Sequence, residues 1–343
     1  MSTPAGLFIA TMIIVAGIAV ALLGESGSAQ EGFTRRAVAP AIARDGLAPS
    51  PTPVPTPTPT PPPPVAAARC YEPRGDVSGF DVRPADGDSV LRNCQVVAYY
   101  GYPGVPGLGV LGEGTEAQML ARLAGEVAAY DEANGGRHAI GALHLIAAVA
   151  QAAATADGSW LVRMSSDAID HQLALAEEHD LLVILDVQMG HSTVGQEIPR
   201  LLPYLANPRV HLAVDPEWAM PAGVAPGTII GGMDASAINE AQRLMSEYIT
   251  AHGLGNRMLV VHQFTPGMIR NKSELAWYLG VDLVIDMDGF GGQGIKLAHY
   301  DQFVAQDGAP HGGLKLFYDE DVNLLSPVQV AALSPQPDLV IFQ

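Results

Sequence analysis

From Gln95 onward, short apolar runs alternate with longer stretches in which apolar residues recur every three or four positions. The first pattern reads as buried strand and the second as helix with one face on a core. Strands are expected at 95–102, 139–149, 181–188, 210–217, 257–264, 281–288, 313–318 and 338–342. Helices are expected at 115–133, 166–179, 195–206, 235–251, 272–279, 294–305 and 326–333. Thr115, Ser165 and Ser326, the last followed by Pro327, stand where N-caps belong. Near-continuous apolar strands separated by helices imply a parallel sheet covered on its outer face. Eight of them in about 250 residues match an α/β fold of the (β/α)8 TIM-barrel type. An open doubly wound sheet is the alternative, but no glycine-rich phosphate turn follows its first strand. The eighth strand ends at Gln343, so the last helix is expected to be missing, and the segment 71–93 is a candidate to cover that gap or plug the barrel bottom.

Polar positions sharpen the picture. Six strands finish in a polar, mostly acidic group: Asp186-Val187-Gln188, Asp215-Pro216-Glu217, His262-Gln263, Asp286-Met287-Asp288, Tyr318-Asp319 and Gln343. An apolar strand gains nothing by ending in a desolvated charge, whereas a barrel collects its active site from those ends. Side chains alternate along a strand. With Leu212 and Val214 facing the helices, Asp215 and Glu217 face the axis; the same parity turns Asp186 with Gln188, and Asp286 with Asp288, inward. Like charges gathered this closely raise at least one pKa and create an acid and base pair. Asp215 and Asp286 have a second reading, as buried carboxylates that cap loops or bind Lys315, and His262 is either a core histidine or a ligand. Tyr99, Tyr100, Tyr102 and Trp218 at the rim are either a stacking platform for a sugar ring or ordinary packing. Gly289-Phe290-Gly291-Gly292-Gln293-Gly294 fits neither GxGxxG nor the P-loop and reads as a loop admitting a neutral ligand, or a mobile rim. No GxSxG, HExxH or cysteine nucleophile is present, so Ser/His/Asp chemistry has no support.

Composition adds limits. The net charge of -18 argues against DNA, RNA or anionic lipid as partner. Leu7 to Leu23 is uncharged and apolar, long for a signal peptide and short for a span, which makes residues 1–29 a signal peptide or membrane anchor. Arg35 and Arg36 follow it and no basic residue precedes it, which runs against the usual export orientation. Residues 30–66 form a linker whose Pro51–Pro64 stretch alternates Pro with Thr, a polyproline II spacer able to hold a domain roughly 40 Å from a membrane. Residues 67–343 are the barrel domain, expected outside the cytoplasm, tethered or secreted. Cys70 and Cys94 are the only cysteines; in an exported chain they form one disulfide, worth roughly 3 kcal/mol, the alternative being two unrelated thiols.

At its strand ends the chain resembles the (β/α)8 glycoside hydrolases, in which the proton donor often closes the fourth strand. Asp215-Pro216-Glu217 is similar to the terminal Asp-x-Glu of the chitinase-type motif; Ala213 and His211 depart from it upstream, and no Trp ends the last strand. The resemblance implies an exported or membrane-tethered hydrolase of a neutral glycan. Glu217 would be the general acid, Asp288 or Asp319 the base or nucleophile, and Asp215 a group tuning Glu217. Asp186, Gln188, His262, Gln263, Asp286, Lys315, Tyr318, Tyr100 and Trp218 would line the substrate site. No cofactor or metal is required by this reading. Two alternatives stand beside it. One is a hydrolase dependent on a divalent cation held by Asp186, Asp215, Glu217, Asp286, Asp288 and His262. The other is a non-catalytic carbohydrate-binding or cell-envelope protein.

Overall fold

The computed structural model describes Cys70 and residues 89–343; the apolar N-terminal segment, the Pro/Thr-rich linker and residues 71–88 lie outside the described residues. Within them no helix is long and apolar enough to cross a membrane. Eight parallel strands close the barrel: β1 (Cys94–Gly101), β2 (His138–Ala150), β3 (Leu182–Gly190), β4 (Val210–Ala219), β5 (Arg257–Gln263), β6 (Val281–Met287), β7 (His311–Leu316) and β8 (Leu339–Phe342), with the short segment Leu161–Arg163 added antiparallel to β2. They pair in chain order, and β1 closes the ring by pairing with both β2 and β8: Val96 lies opposite Ile140 on one side and Leu339 on the other. The fold is the (β/α)8 barrel that the alternation predicts.

Parity separates two cores. Val96, Ala98, Ile140, Ala142, Ile184, Ala213, Val260, Val284 and Ile341 fill the barrel interior. Their neighbours Val97, Leu143, Val183, Leu185, Leu212, Val214, Leu259, Val261, Leu283, Ile285 and Val340 face outward, against helix residues such as Leu123, Ile198, Ile238 and Met245. Each fully buried aliphatic side chain contributes about 1.5–3 kcal/mol relative to exposure, so both faces of every strand have reason to stay dry.

The covering helices are α1 (Glu116–Ala133), α2 (Ser166–Glu178), α3 (Val194–Leu201), α4 (Ala235–His252), α5 (Gln293–Tyr300) and α6 (Pro327–Ala331). Thr115 and Ser326 each accept from the backbone N–H three residues on, and Gln118 and Gln329 reach back to complete capping boxes. Three expected helices are shorter than the periodicity implies, that at 326–333 forming only over Pro327–Ala331. The expected helix 195–206 passes at Leu202 into a tighter turn containing Pro203, and 294–305 widens after Tyr300. The helix expected at 272–279 is absent: only the turn Lys272–Glu274 forms. Side chains of α4 take its backbone groups instead, Asn239 bonding Glu274 O and Ala276 N, and Gln242 bonding Ala276 O.

At the bottom of the barrel, Val90 and Leu91 join the interior cluster, and Ser89 Oγ donates to Asp282 Oδ2 at 2.7 Å. The end of the 71–93 segment therefore plugs the bottom. The Cys70–Cys94 disulfide is formed. Arg137 fastens this end, donating to the carbonyls of Leu91 and Cys94 and to Asp338 at the start of β8.

Candidate functional site

The opposite end of the barrel gathers the polar groups. Inward parity brings Tyr100 from β1, His144 from β2, Asp186 and Gln188 from β3, Asp215 and Glu217 from β4, His262 from β5, Asp286 and Asp288 from β6 and Lys315 from β7 into one enclosure, every one of them buried. Glu217 is the most exposed of these carboxylates, at 7%. Small interior residues leave room for them. Gly313 on β7 lies beside Asp286, and a Cβ at that position would stand 2.6 Å from Asp286 Oδ1.

His262 is the hub. Its Nδ1 lies 3.0 Å from Asp286 Oδ2 and 3.2 Å from Asp288 Oδ2, and its Nε2 lies 3.2 Å from Asp186 Oδ2. His144 Nε2 meets that same Asp186 oxygen at 3.2 Å. Lys315 Nζ donates to Asp288 Oδ2 at 3.1 Å and sits 3.8 Å over the Tyr100 ring. Lys315 thus pairs with Asp288, and neither Asp215 nor Asp286 is its partner by hydrogen bond. The Tyr100 ring packs edge-on against both imidazoles, centroids 5.1 and 5.9 Å away.

Burial and charge pull the pKa values of Asp215 and Glu217 one way and those of Asp186 and Asp288 the other. Burial raises Asp215 to about 7, with Asp186 and Asp288 adding to the rise against His262 and Lys315. Glu217 is pushed well above the usual carboxylate range by burial and by Asp215 and Asp288. In Asp186 and Asp288 burial acts in the same upward sense, but their neighbours win: the His262 charge and hydrogen bonds from His144 and His262 hold Asp186 down, and Lys315 and His262 hold Asp288 down. Desolvation alone would lower His262, yet the surrounding carboxylates lift it well above an ordinary histidine. His144, with less compensation, is lowered by burial. Four carboxylate oxygens, Oδ1 of Asp186, Asp215, Asp286 and Asp288, are buried without a hydrogen-bond partner, as is His144 Nδ1.

Other expected site residues lie elsewhere. Tyr318 and Asp319 do not enter the barrel mouth; they line a groove of about 800 Å³ outside the barrel with Tyr99, Arg122 and Glu126, where the Tyr318 hydroxyl bonds Tyr99 and Glu126. Gln263 is a structural acceptor for Lys272 Nζ at 2.7 Å. Trp218 packs against the outer core. Gln188 faces inward but its Oε1 accepts from Ala150 N–H. Asp319 and Tyr318 thus lie in the outer groove, and Gln263 and Trp218 on the outward face, rather than with the buried cluster at the mouth.

Two features escaped the sequence reading. His144 sits mid-strand, on the face shared by Ile140, Ala142 and Ile146, and that parity was its only signal. Lys296 and Asp321 form a buried ion pair of 2.9 Å. Lys296 also donates to the carbonyls of Gly289 and Lys315, while Asp321 accepts from Gly291 and Phe317 N–H. These contacts tie Gly289 and Gly291 of the glycine-rich turn beside the ends of β6 and β7. Comparison with known proteins supplies no family for this site: no family model matches the chain, and no curated protein matches its sequence.

Proposed function

We propose that the barrel mouth is the active centre of a hydrolase working by carboxylate acid–base chemistry, outside the cytoplasm, with a neutral glycan as substrate class. The observation that carries this reading is the presence, in one enclosure, of a buried carboxyl whose pKa burial pushes up, Glu217, and a carboxylate ion-paired to an ammonium, Asp288 with Lys315 at 3.1 Å. Paired carboxyls whose surroundings drive them apart are the ordinary way a site holds an acid and a base at one pH. Glu217, at the end of β4, would deliver its proton to the leaving oxygen. Asp288 would then act on water or on the sugar carbon, with Lys315 fixing its orientation. The acidic lining disfavours an anionic substrate, while carboxyl oxygens that lack partners match the hydroxyls of a neutral sugar.

The test is hydrolysis of a panel of neutral polysaccharides and oligosaccharides, read as new reducing ends, for the wild type and Glu217→Gln. Loss of a general acid costs about 100-fold or more in rate. No reducing ends from any substrate, or full activity in Glu217→Gln, would overturn the reading. Glycan binding without products, equal in both proteins, would point to a carbohydrate-binding protein instead.

A further inference from the structure

The floor of the mouth holds groups that acid–base chemistry at Glu217 does not use. His144 Nε2 and His262 Nε2 converge on one oxygen, Asp186 Oδ2, each at 3.2 Å, and all three residues are fully buried. We propose that His144, Asp186 and His262 form a binding site for a divalent cation, Zn²⁺ by preference, beneath the acid–base pair.

Three features point to a ligand. First, the three donor atoms lie within 4.8 Å of one another. Tetrahedral zinc with bonds of about 2.0–2.1 Å sets neighbouring ligand atoms about 3.3 Å apart, close to the two spacings seen. Second, Asp186 Oδ1 is buried with no hydrogen-bond partner. An unmatched buried carboxylate oxygen costs about 1–3 kcal/mol or more, a cost that a cation removes. Third, the supporting contacts suit a metal-bound histidine. His262 presents its other nitrogen, Nδ1, to Asp286 and Asp288 at 3.0 and 3.2 Å, the carboxylate–histidine arrangement that fixes the ring and its tautomer in metal sites. The Tyr100 ring holds both imidazoles from the side.

A second set, His262 with Asp286 and Asp288, has comparable spacing. It is disfavoured because Lys315 already places an ammonium 3.1 Å from the same Asp288 oxygen, and one imidazole does not serve two ions through both nitrogens while also being oriented by a carboxylate. Two imidazoles and one carboxylate form a mixed nitrogen and oxygen set that suits zinc, and three protein ligands leave a fourth position for substrate or water. A cation there would supply Lewis-acid polarisation to whatever occupies the mouth.

The test reads the metal and needs no substrate. Chelator-treated full-length protein is titrated with Zn²⁺ and, separately, Co²⁺, and bound metal is counted by mass spectrometry. The expected result is one ion per chain, a rise in Tm of about 5 °C or more at saturation, and shifts in the ring resonances of two histidines on loading Co²⁺. His144→Ala and Asp186→Asn should weaken binding by at least about 100-fold, and Asp286→Asn by about 10- to 100-fold. Circular dichroism identifies any variant that fails to fold; the histidine shifts in the wild type then decide alone. No bound ion, binding undiminished in folded His144→Ala or Asp186→Asn, or binding that leaves every histidine resonance unshifted would overturn the site. If no cation binds while Glu217-dependent hydrolysis persists, only this inference fails; if a cation binds and no substrate is cleaved, only the hydrolase reading fails.

Discussion

Replacing Lys315 with Met tests whether the mouth is held together by charge pairing. The Lys315 ammonium lies 3.1 Å from Asp288 Oδ2 and is itself buried. At an effective dielectric of ~20 a pair at that distance attracts by about 5 kcal/mol, and breaking a buried pair from one side costs about 3–5 kcal/mol, here because Asp288 keeps only His262, 3.2 Å away, of its two cationic neighbours. For a domain of this size, 1 kcal/mol moves Tm by about 2–4 °C, so the loss should be roughly 6–20 °C. Lys315→Met/Asp288→Asn should recover a large part of it, because the double variant leaves no stranded carboxylate. The effect should also depend on pH in a defined direction. Lys315 counters the upward push of burial on Asp288; without the ammonium, burial raises that carboxyl, and the deficit should shrink as acidification protonates it. Thermal melts and urea unfolding at several pH values, on the wild type, both single variants and the double, make the measurement. A Lys315→Met protein within 1 kcal/mol of the wild type, or a double variant as unstable as that single, would refute the reasoning.

Three further outcomes follow from the same structure. Gly313→Ala should destabilise by about 1–3 kcal/mol in urea unfolding, since its Cβ would press on the Asp286 carboxylate and backbone; stability unchanged from the wild type would contradict that packing. Asp338 accepts from Arg137 at 2.6 Å and His311 at 2.8 Å, and these cations hold its carboxyl below the usual range despite burial. A depressed carboxyl contributes stability above its unfolded value, about 3.9, and loses it as pH falls through the folded value; Asp338→Asn should flatten the acid side of the stability profile, and an unaltered acid midpoint would count against the pairing. Reduction, or Cys70→Ala/Cys94→Ala, should cost about 3 kcal/mol, with equal melting of oxidised and reduced protein as the contrary result.

Much of this architecture is legible in the residues, for a reason confined to strands buried on both faces. There the helix-facing positions must be aliphatic, so a carboxylate among them can only point to the axis; Asp186, Asp215, Glu217, Asp286 and Asp288 are readable on that ground. The same alternation separates Gln263 from His262 and Trp218 from Glu217, and it turns those two outward. Grouping residues by strand ending rather than by face places them with the inward-facing carboxylates. Tyr318 and Asp319 fail differently. Strand β7 ends at Leu316, and beyond it Tyr318 N–H bonds Gln343 O while Asp321 N–H bonds Phe317 O, so alternation no longer governs direction. His144 lies in the middle of an apolar strand, away from any ending. The missing helix near 272–279 depends on Asn239 and Gln242, more than thirty positions upstream in the chain and invisible to a local window.

Closure through β1 and β8 also bears on how the chain reaches this state. The pairing of Val96 with Leu339 joins the first strand to the last, and Arg137 spans the same seam. A contact between sequence extremes forms against the largest loop entropy and belongs to slow-folding topologies. Until that seam zips, β1 and β8 both remain raw edges able to pair with a neighbouring molecule. Refolding yield should therefore fall with protein concentration more steeply than native stability alone would imply.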